Sequence, residues 1–275
     1  MSREIDVRHL GREQVICAHE VDGMIVDPGP ASCAGALLEA LDLEPRALLL
    51  THIHLDHAGA AGVLCRTFPS LTVYVHERGA RHLVDPSKLL QSARRLYGDD
   101  MERLWGEVAP VPAERLQALD GGETVEGMRV EHTPGHASHH VCYLHEDSGE
   151  AFVGDVAGVR LPGSAYTVAP TPPPDIDVEA WLTSLDTVAR WSPSALCLTH
   201  FGRHDDVDDQ LERLRAGLRS RADRARTMEV DEFAEWSEAE TRAAVDGETA
   251  EALIQAAPPE TLGMGLRRYW EKKGT

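Results

Sequence analysis

Four side chains that can bind a metal ion occur within six residues, directly after an apolar run at 47–51. These side chains are His52, His54, Asp56 and His57. At the end of an extended strand, residues two apart face the same side, so His52 and His54 are expected to reach one ion together. His57 breaks this alternation and is expected to face a second ion beside the first. Imidazole and carboxylate together suit zinc, manganese or iron.

Three further candidate ligands follow other predicted strands. His136 comes after a Thr-Pro-Gly turn, Asp155 after a glycine that allows close backbone approach, and His200 after the apolar segment 195–198. In α/β proteins, functional sites collect at the carboxyl ends of strands, so these residues are expected to meet the first group. The seven candidates are enough for two ions that share one carboxylate: His52, His54, Asp56, His57, His136, Asp155 and His200.

The apolar patterns predict an α/β protein made of short strands and helices. Strands are predicted at 14–19, 23–26, 47–51, 72–75, 129–132, 141–145, 151–153 and 195–198. Helices are predicted at 31–41, 58–68, 178–191 and over most of 77–107. The segment 161–175 is rich in Pro, Gly and Thr and is predicted to be a long loop, of the kind that is often functional.

The pattern changes after residue 204, where strand signals end and the chain becomes polar and helical. The sequence therefore predicts a catalytic domain at 1–204 and a small C-terminal helical segment at 205–275.

Charge limits the partners that the protein can bind. The 275 residues include 27 basic and 46 acidic side chains, for a formal net charge of −19. Such a chain repels phosphate backbones and anionic lipids, so no nucleic-acid or membrane partner is expected. No basic cluster is evident near the ligand motifs. The Pro-rich segment 161–174 offers mostly apolar and neutral polar groups, which suit a small acyl substrate as the partner, and the sequence leaves a homodimer open.

The sequence also bears on location. No segment has the roughly 20 apolar residues that a membrane helix needs. The first residues are charged and lack the apolar block of a signal peptide, and the five cysteines include no Cys-x-x-Cys pair. These features predict a cytoplasmic protein without a disulfide framework.

The motifs resemble those of the metallo-β-lactamase superfamily, and in particular its glyoxalase-II-like and lactonase-like branch. The resemblance rests on the string HIHLDHAG from His52 onward, on TPGH ending at His136, on GD ending at Asp155 and on TH ending at His200. It covers roughly residues 14–204 and implies a four-layer αββα sandwich with the site at one edge. It also implies a division of the ligands, with one ion on His52, His54 and His136, the other on Asp56, His57 and His200, and Asp155 bridging both.

The resemblance implies a hydrolase with two divalent ions, for which Zn²⁺ is the first choice and Fe or Mn the alternatives. A hydroxide between the ions would attack a small ester, thioester or lactone, and Asp56 would carry the proton to the leaving group. Two other functions stay open. One is a mononuclear iron persulfide dioxygenase, and the other is a non-catalytic metal-binding protein on a hydrolase scaffold.

Other residues are expected around the ligands. Tyr166 and Arg160 lie in or near the loop after Asp155 and are candidates for orienting the substrate, whereas His139 and His140 are assigned to the surroundings of the site. Four residues are positioned to hold the imidazoles by hydrogen bonds: Asp27, Thr51, Ser138 and Thr199.

Overall fold

Two six-stranded mixed sheets form the centre of the structure. The structure, a computed structural model, describes residues 1–274, so Thr275 of the predicted C-terminal segment lies outside the described residues. The first sheet has the order β1 to β6, with strands Arg3–Asp6, Cys17–Val21, Met24–Val26, Ala47–Leu49, Thr72–His76 and Leu116–Leu119. The strands of the second sheet lie side by side in the order β12 to β7. In chain order, β7 to β12 are Thr124–Val125, Met128–His132, Val141–His145, Glu150–Phe152, Ala195–Leu198 and Gly202–His204.

Helices cover the outer faces of the sheets and fill the C-terminal part of the chain. Helices α1 to α7 are Ala34–Ala40, Leu55–Ala58, Ala61–Thr67, Glu77–Val84, Ser87–Tyr97, Met101–Trp105 and Val178–Trp191. Helices α8 to α11 are Val207–Ala225, Val230–Ala244, Gly247–Ala256 and Pro259–Lys273. The helical character predicted for the C-terminal part is confirmed, while the domain boundary at residue 204 stays a prediction. None of the helices within residues 1–274 combines the length and apolar character needed to cross a membrane.

Strand side chains alternate between two hydrophobic layers. In β3, Met24 and Val26 belong to a cluster that both sheets share, whereas Ile25 belongs to the cluster that includes the helices. In β9, Tyr143 packs between the sheets and Cys142 packs outward. Because successive side chains of a strand point to opposite faces, one set joins the two sheets and the other packs under the helices. This arrangement confirms the predicted αββα sandwich.

Parallel strands bring the candidate ligands to one edge of the sandwich. Strand β3 pairs with β4 in parallel, and β10 pairs with β11 in parallel, so the carboxyl ends of each pair lie side by side. The two sheets are linked at this edge, since Val141 N–H donates to the Thr51 carbonyl and Cys17 N–H donates to the Thr199 carbonyl, both at 2.8 Å. The loops that follow these strands therefore meet.

Some predicted elements differ from the structure. The strand predicted at 14–19 begins only at Cys17, because Gln14 has a positive φ of 60° that interrupts an extended strand. The helix predicted at 58–68 corresponds to α3 at Ala61–Thr67, whereas the short helix α2 at Leu55–Ala58 was not predicted. The segment 161–175 contains no helix or strand, as predicted, apart from one isolated bridge between Val159 and Val168.

Candidate metal centre

Ring nitrogens of His52, His54 and His136 converge on one point. His52 Nε2 lies 2.9 Å from His54 Nδ1, and His136 Nε2 lies 3.2 Å from His52 Nε2 and 2.9 Å from His54 Nδ1. Around a tetrahedral ion with metal–nitrogen bonds of about 2.0–2.1 Å, neighbouring nitrogens lie roughly 3.3 Å apart. The first cluster therefore has the spacing of three ligands on one ion.

The lowered pKa values of these three imidazoles leave them in the neutral form that binds a metal ion. Burial lowers the pKa of His52, His54 and His136, to about 4 for His54. Neutral imidazole is therefore the form present at neutral pH, and it is the form whose lone pair binds a metal.

Asp56, His57 and His200 form a second cluster. Asp56 Oδ2 lies 3.4 Å from His200 Nε2 and 3.9 Å from His57 Nε2. Asp155 stands between the clusters, with Oδ2 3.2 Å from His136 Nε2 and Oδ1 3.3 Å from His57 Nε2. One carboxylate thus presents one oxygen to each cluster, and the structure brings all seven predicted ligands together.

Carboxylates give the second cluster a negative charge that a bound cation would balance. Burial disfavours a charged His57, yet the carboxylates of Asp155 and Asp27 raise its pKa well above the usual value. Burial would likewise raise the pKa of Asp155, but His57 and His136 hold it well below the usual value. His57 Nε2 and Asp155 Oδ1 are both buried and face each other at 3.3 Å, but neither forms a well-aligned hydrogen bond within residues 1–274. Buried nitrogen and oxygen atoms that face one point without such a hydrogen bond are suited to bind a divalent metal ion.

The buried carboxylate of Asp27 fixes the orientation of the ligands. Its Oδ2 accepts hydrogen bonds from His57 Nδ1 at 2.7 Å, Thr51 Oγ1 at 2.7 Å and Thr199 Oγ1 at 2.8 Å. Because His57 donates through Nδ1, its Nε2 faces the second cluster. Thr51 Oγ1 also lies 3.1 Å from His52 Nδ1, which leaves His52 Nε2 for the first cluster. The hydrogen bonds predicted from Asp27 and Thr51 to imidazoles are confirmed, whereas Thr199 bonds to Asp27 and supports His57 only through that carboxylate.

Main-chain carbonyls hold two further ligands. His136 Nδ1 donates to the Pro170 carbonyl at 2.8 Å, and His200 Nδ1 donates to the Val15 carbonyl at 2.6 Å. The sequence did not predict these partners, since a carbonyl is present at every residue and carries no side-chain signal.

Gly154 allows Asp155 to approach the other ligands. A Cβ at this position would lie 2.5 Å from Thr51 Oγ1 and 2.8 Å from His140 Nε2, and its φ is +48°. His140 itself stacks on His52 with ring centroids 5.0 Å apart. The close backbone approach predicted at Gly154 is confirmed, and His140 lies in the surroundings of the site, as expected.

Three supporting roles predicted from the sequence are wrong. The Ser138 hydroxyl holds no ligand imidazole, because it donates to Asp175 Oδ2 at 2.6 Å, and the only imidazole that bonds to the Ser138 carbonyl is that of His132, which is not a predicted ligand. Tyr166 and Arg160 were predicted to orient the substrate. Instead, they connect the 161–175 loop and the residue before it to the C-terminal part of the chain. Arg221 of α8 donates to the Tyr166 hydroxyl at 2.8 Å, and Arg160 donates to Asp206 at 2.6 Å.

A cavity of about 120 Å³ opens beside Asp56 and Asp155. Its walls come from α5, from the prolines of the 161–175 loop and from the connection between α10 and α11. Among the described residues, no lysine or arginine lines it. The loop contributes as the sequence suggested, but the two helical walls were not predicted. The apolar lining consists mainly of Leu55, Leu89, Ala93, Leu96, Tyr97, Pro170, Pro172, Pro173, Ala257 and Leu262.

Comparison with known proteins agrees with this architecture. The family described as the metallo-beta-lactamase superfamily matches residues 15–200. The metallo-beta-lactamase fold-containing protein ST1585 of Sulfurisphaera tokodaii is 29% identical over 207 residues, which are 72% of this chain and 75% of that protein. The crystal structure of ST1585, described as from Sulfolobus tokodaii, superposes with a TM-score of 0.74 at 24% identity, over 97% of this chain and 98% of that chain.

Two other relatives bear on the site. A hydroxyacylglutathione hydrolase of Aeromonas hydrophila is 33% identical over 141 residues, which are 50% of this chain and only 43% of that enzyme. The structure of TTHA1623, described in a di-iron-bound form, superposes with a TM-score of 0.56 at 26% identity, over 72% of this chain and 93% of that chain. With the family match spanning most of its length, the chain belongs to the metallo-β-lactamase superfamily, whose members are generally hydrolases.

Proposed function

We propose that this protein hydrolyses small carboxylic esters, thioesters or lactones with the help of two divalent metal ions. One observation carries the proposal: two clusters of ligand atoms share the carboxylate of Asp155 at the wall of an apolar cavity. The cavity provides room for an acyl group next to the clusters. Family membership supports hydrolysis, and the cavity supports a small apolar substrate.

Zinc is the metal that we propose first. In this proposal His52, His54 and His136 hold one ion, Asp56, His57 and His200 hold the other, and Asp155 binds both. Five imidazoles and two carboxylates suit Zn²⁺ and also iron, the metal described for TTHA1623. When bound, two such ions lower the pKa of water toward neutrality and polarise a carbonyl oxygen.

Asp56 is the residue that we propose as the proton carrier. Its Oδ2 faces the second cluster, while 23% of its side chain is exposed and lines the cavity. Burial would raise the pKa of Asp56, but His57 and His200 hold it below the usual value, so the carboxylate is ionised. An ionised carboxylate at this position can take a proton from the attacking water and pass it to the leaving oxygen or sulfur.

The thioester class has independent support from the relatives. The Aeromonas hydrophila enzyme is named for hydrolysis of hydroxyacylglutathione, which is a thioester. Because that match spans less than half of the enzyme, we propose a thioester bond for the substrate of this protein and propose nothing about a glutathione group. Within the described residues, no lysine or arginine lines the cavity beside Asp56, so only the proposed metal ions would attract a phosphodiester there, and this disfavours it as the reacting group.

The zinc-loaded protein is expected to hydrolyse a butanoyl thioester, phenyl butanoate or a γ-lactone with higher kcat/KM than bis-p-nitrophenyl phosphate. The reason is that the cavity offers apolar walls to an acyl chain and, apart from the proposed metal ions, no lysine or arginine that would hold a phosphodiester. Initial rates on the four compounds, before and after chelation and zinc replacement, measure the preference. Faster cleavage of the phosphodiester contradicts the proposal, as does oxygen uptake with a persulfide in place of hydrolysis.

A further inference from the structure

A second hollow, of about 480 Å³, adjoins the cavity on the other side of His54. We call it the basic groove, because its walls include Arg78 and Arg81 from α4 and Lys88 from the start of α5. The groove and the cavity share four lining residues, so one molecule can extend from one into the other. The shared residues are His54, Leu89, Ser92 and Pro174.

The basic groove corrects the expectation that no basic cluster lies near the ligand motifs. Arg78 and Arg81 are three residues apart on a helix and therefore face the same side, which was a signal available in the sequence. What the sequence did not reveal is that α4 packs next to His54. Gly79, between the two arginines, lies against the loop that follows β4: a Cβ on it would come within 2.8 Å of Ile53.

Within the part of the chain that the structure describes, the cations of the basic groove have no carboxylate partner. Arg78 donates to the Ser138 carbonyl at 3.4 Å, and Arg81 donates to the ring of His82 at 3.2 Å. Neither of them, nor Lys88, forms an ion pair anywhere in residues 1–274. This is unusual in a chain with 46 acidic and only 27 basic side chains. Elsewhere the arginines pair readily, as Arg66 does with Glu107 at 2.7 Å.

The charge balance of the basic groove indicates how many negative charges it accepts. Two carboxylates, Glu77 and Asp175, also line it, and Asp175 accepts a hydrogen bond from Ser138. Burial and the neighbouring cations Arg81 and Lys88 lower the pKa of His82. With histidines counted as neutral, three cations and two carboxylates leave one positive charge. The groove is therefore suited to one negative charge, such as a carboxylate.

We infer that the basic groove binds a carboxylate at one end of the substrate while an apolar chain at the other end fills the cavity. This inference rests on the proposed function and makes the substrate an anionic ester or thioester whose carbonyl lies between the two hollows. Guanidinium groups suit a carboxylate because they donate two parallel hydrogen bonds to it. The apolar end is short, since a cavity of about 150 Å³ holds only a benzene molecule and this one measures about 120 Å³.

Binding of two non-hydrolysable ethers tests this inference without any turnover. In calorimetric titrations of the zinc-loaded protein, 4-butoxybenzoate is expected to bind about tenfold more tightly than the neutral 4-butoxybenzamide, the effect of a charged hydrogen bond. The double variant Arg78→Gln/Arg81→Gln is expected to lose this advantage. Arg95→Gln, an exposed α5 residue that does not line the groove, is expected to keep it. Equal affinity of both ethers for the wild type, or an advantage that survives in the double variant, overturns the inference.

Hydrolysis of two matched esters separates this inference from the proposed function. The double variant is expected to raise KM about tenfold for 4-(butanoyloxy)benzoate, by loss of the same charged hydrogen bonds. It is expected to leave kcat/KM for phenyl butanoate unchanged. If the wild type hydrolyses both esters and the double variant has the same KM and kcat/KM as the wild type for each, the groove assignment is contradicted while the proposed function stands. If neither ester is hydrolysed, the proposed function fails, and the ether titrations still decide whether the groove binds a carboxylate.

Discussion

Replacing Asp56 by asparagine is expected to lower kcat by about 10²–10⁴-fold, the usual contribution of one acid–base group. The amide oxygen can still face the second cluster, but the amide cannot take up a proton from water. Turnover of a butanoyl thioester, with the metal content of each sample measured, gives the result. The first cluster does not include Asp56, so its metal is expected to be retained.

Ser92→Ala is the matched control for this variant, because Ser92 lines the same cavity but carries no acid–base role in the proposal. It is expected to turn over at nearly the wild-type rate. An Asp56→Asn protein with full metal content and nearly wild-type turnover would remove Asp56 from the mechanism.

His52→Ala and His200→Ala are each expected to lose mainly one of two metal equivalents, together with most of the activity. The reason is that the proposal assigns His52 to the first ion and His200 to the second, with His52 also lying next to His57 and Asp155. Metal analysis after dialysis against a weak chelator measures the loss. His139→Ala serves as the control, because His139 stacks near His52 at 6.2 Å but belongs to neither cluster, and it is expected to retain both ions. If His52→Ala and His200→Ala also retain two equivalents, the ligand assignment is wrong.

The interior of both sheets could be predicted from the sequence, whereas their edges could not. Each of the eight predicted strands corresponds to an inner strand of a sheet. The four strands that were missed, β1, β6, β7 and β12, are the four sheet edges. Inner strands are recognisable because both faces are buried and apolar, as in Ala47–Leu49. Edge strands are partly polar and partly exposed, such as Arg3–Asp6, and their patterns resemble those of loops.

The ligands could be predicted because their chemistry is carried by the side chains themselves. Histidine and aspartate at several strand ends have few structural uses, and parallel strands bring such residues to one edge. Asp27 could be predicted for the same reason, since it directly follows β3, which pairs with β4.

The surroundings of the substrate could not be predicted in the same way. The cavity combines α5 with residues 256–262, which are more than 150 positions later in the chain. Apolar residues on a helix indicate that one face is buried, but they do not indicate what that face meets. Tyr166 illustrates the difficulty, because it follows Asp155 closely in sequence but bonds to Glu240 and Arg221 of the C-terminal helices.

Anomalous diffraction from zinc-loaded crystals tests the central claim most directly, because it locates each ion against its ligands. We expect two peaks about 3.5–4 Å apart, the usual separation in two-metal sites. One peak should lie among His52, His54 and His136, the other among Asp56, His57 and His200, and Asp155 should contact both. A single peak under metal-replete conditions, or a second peak that Asp155 does not touch, would contradict the account.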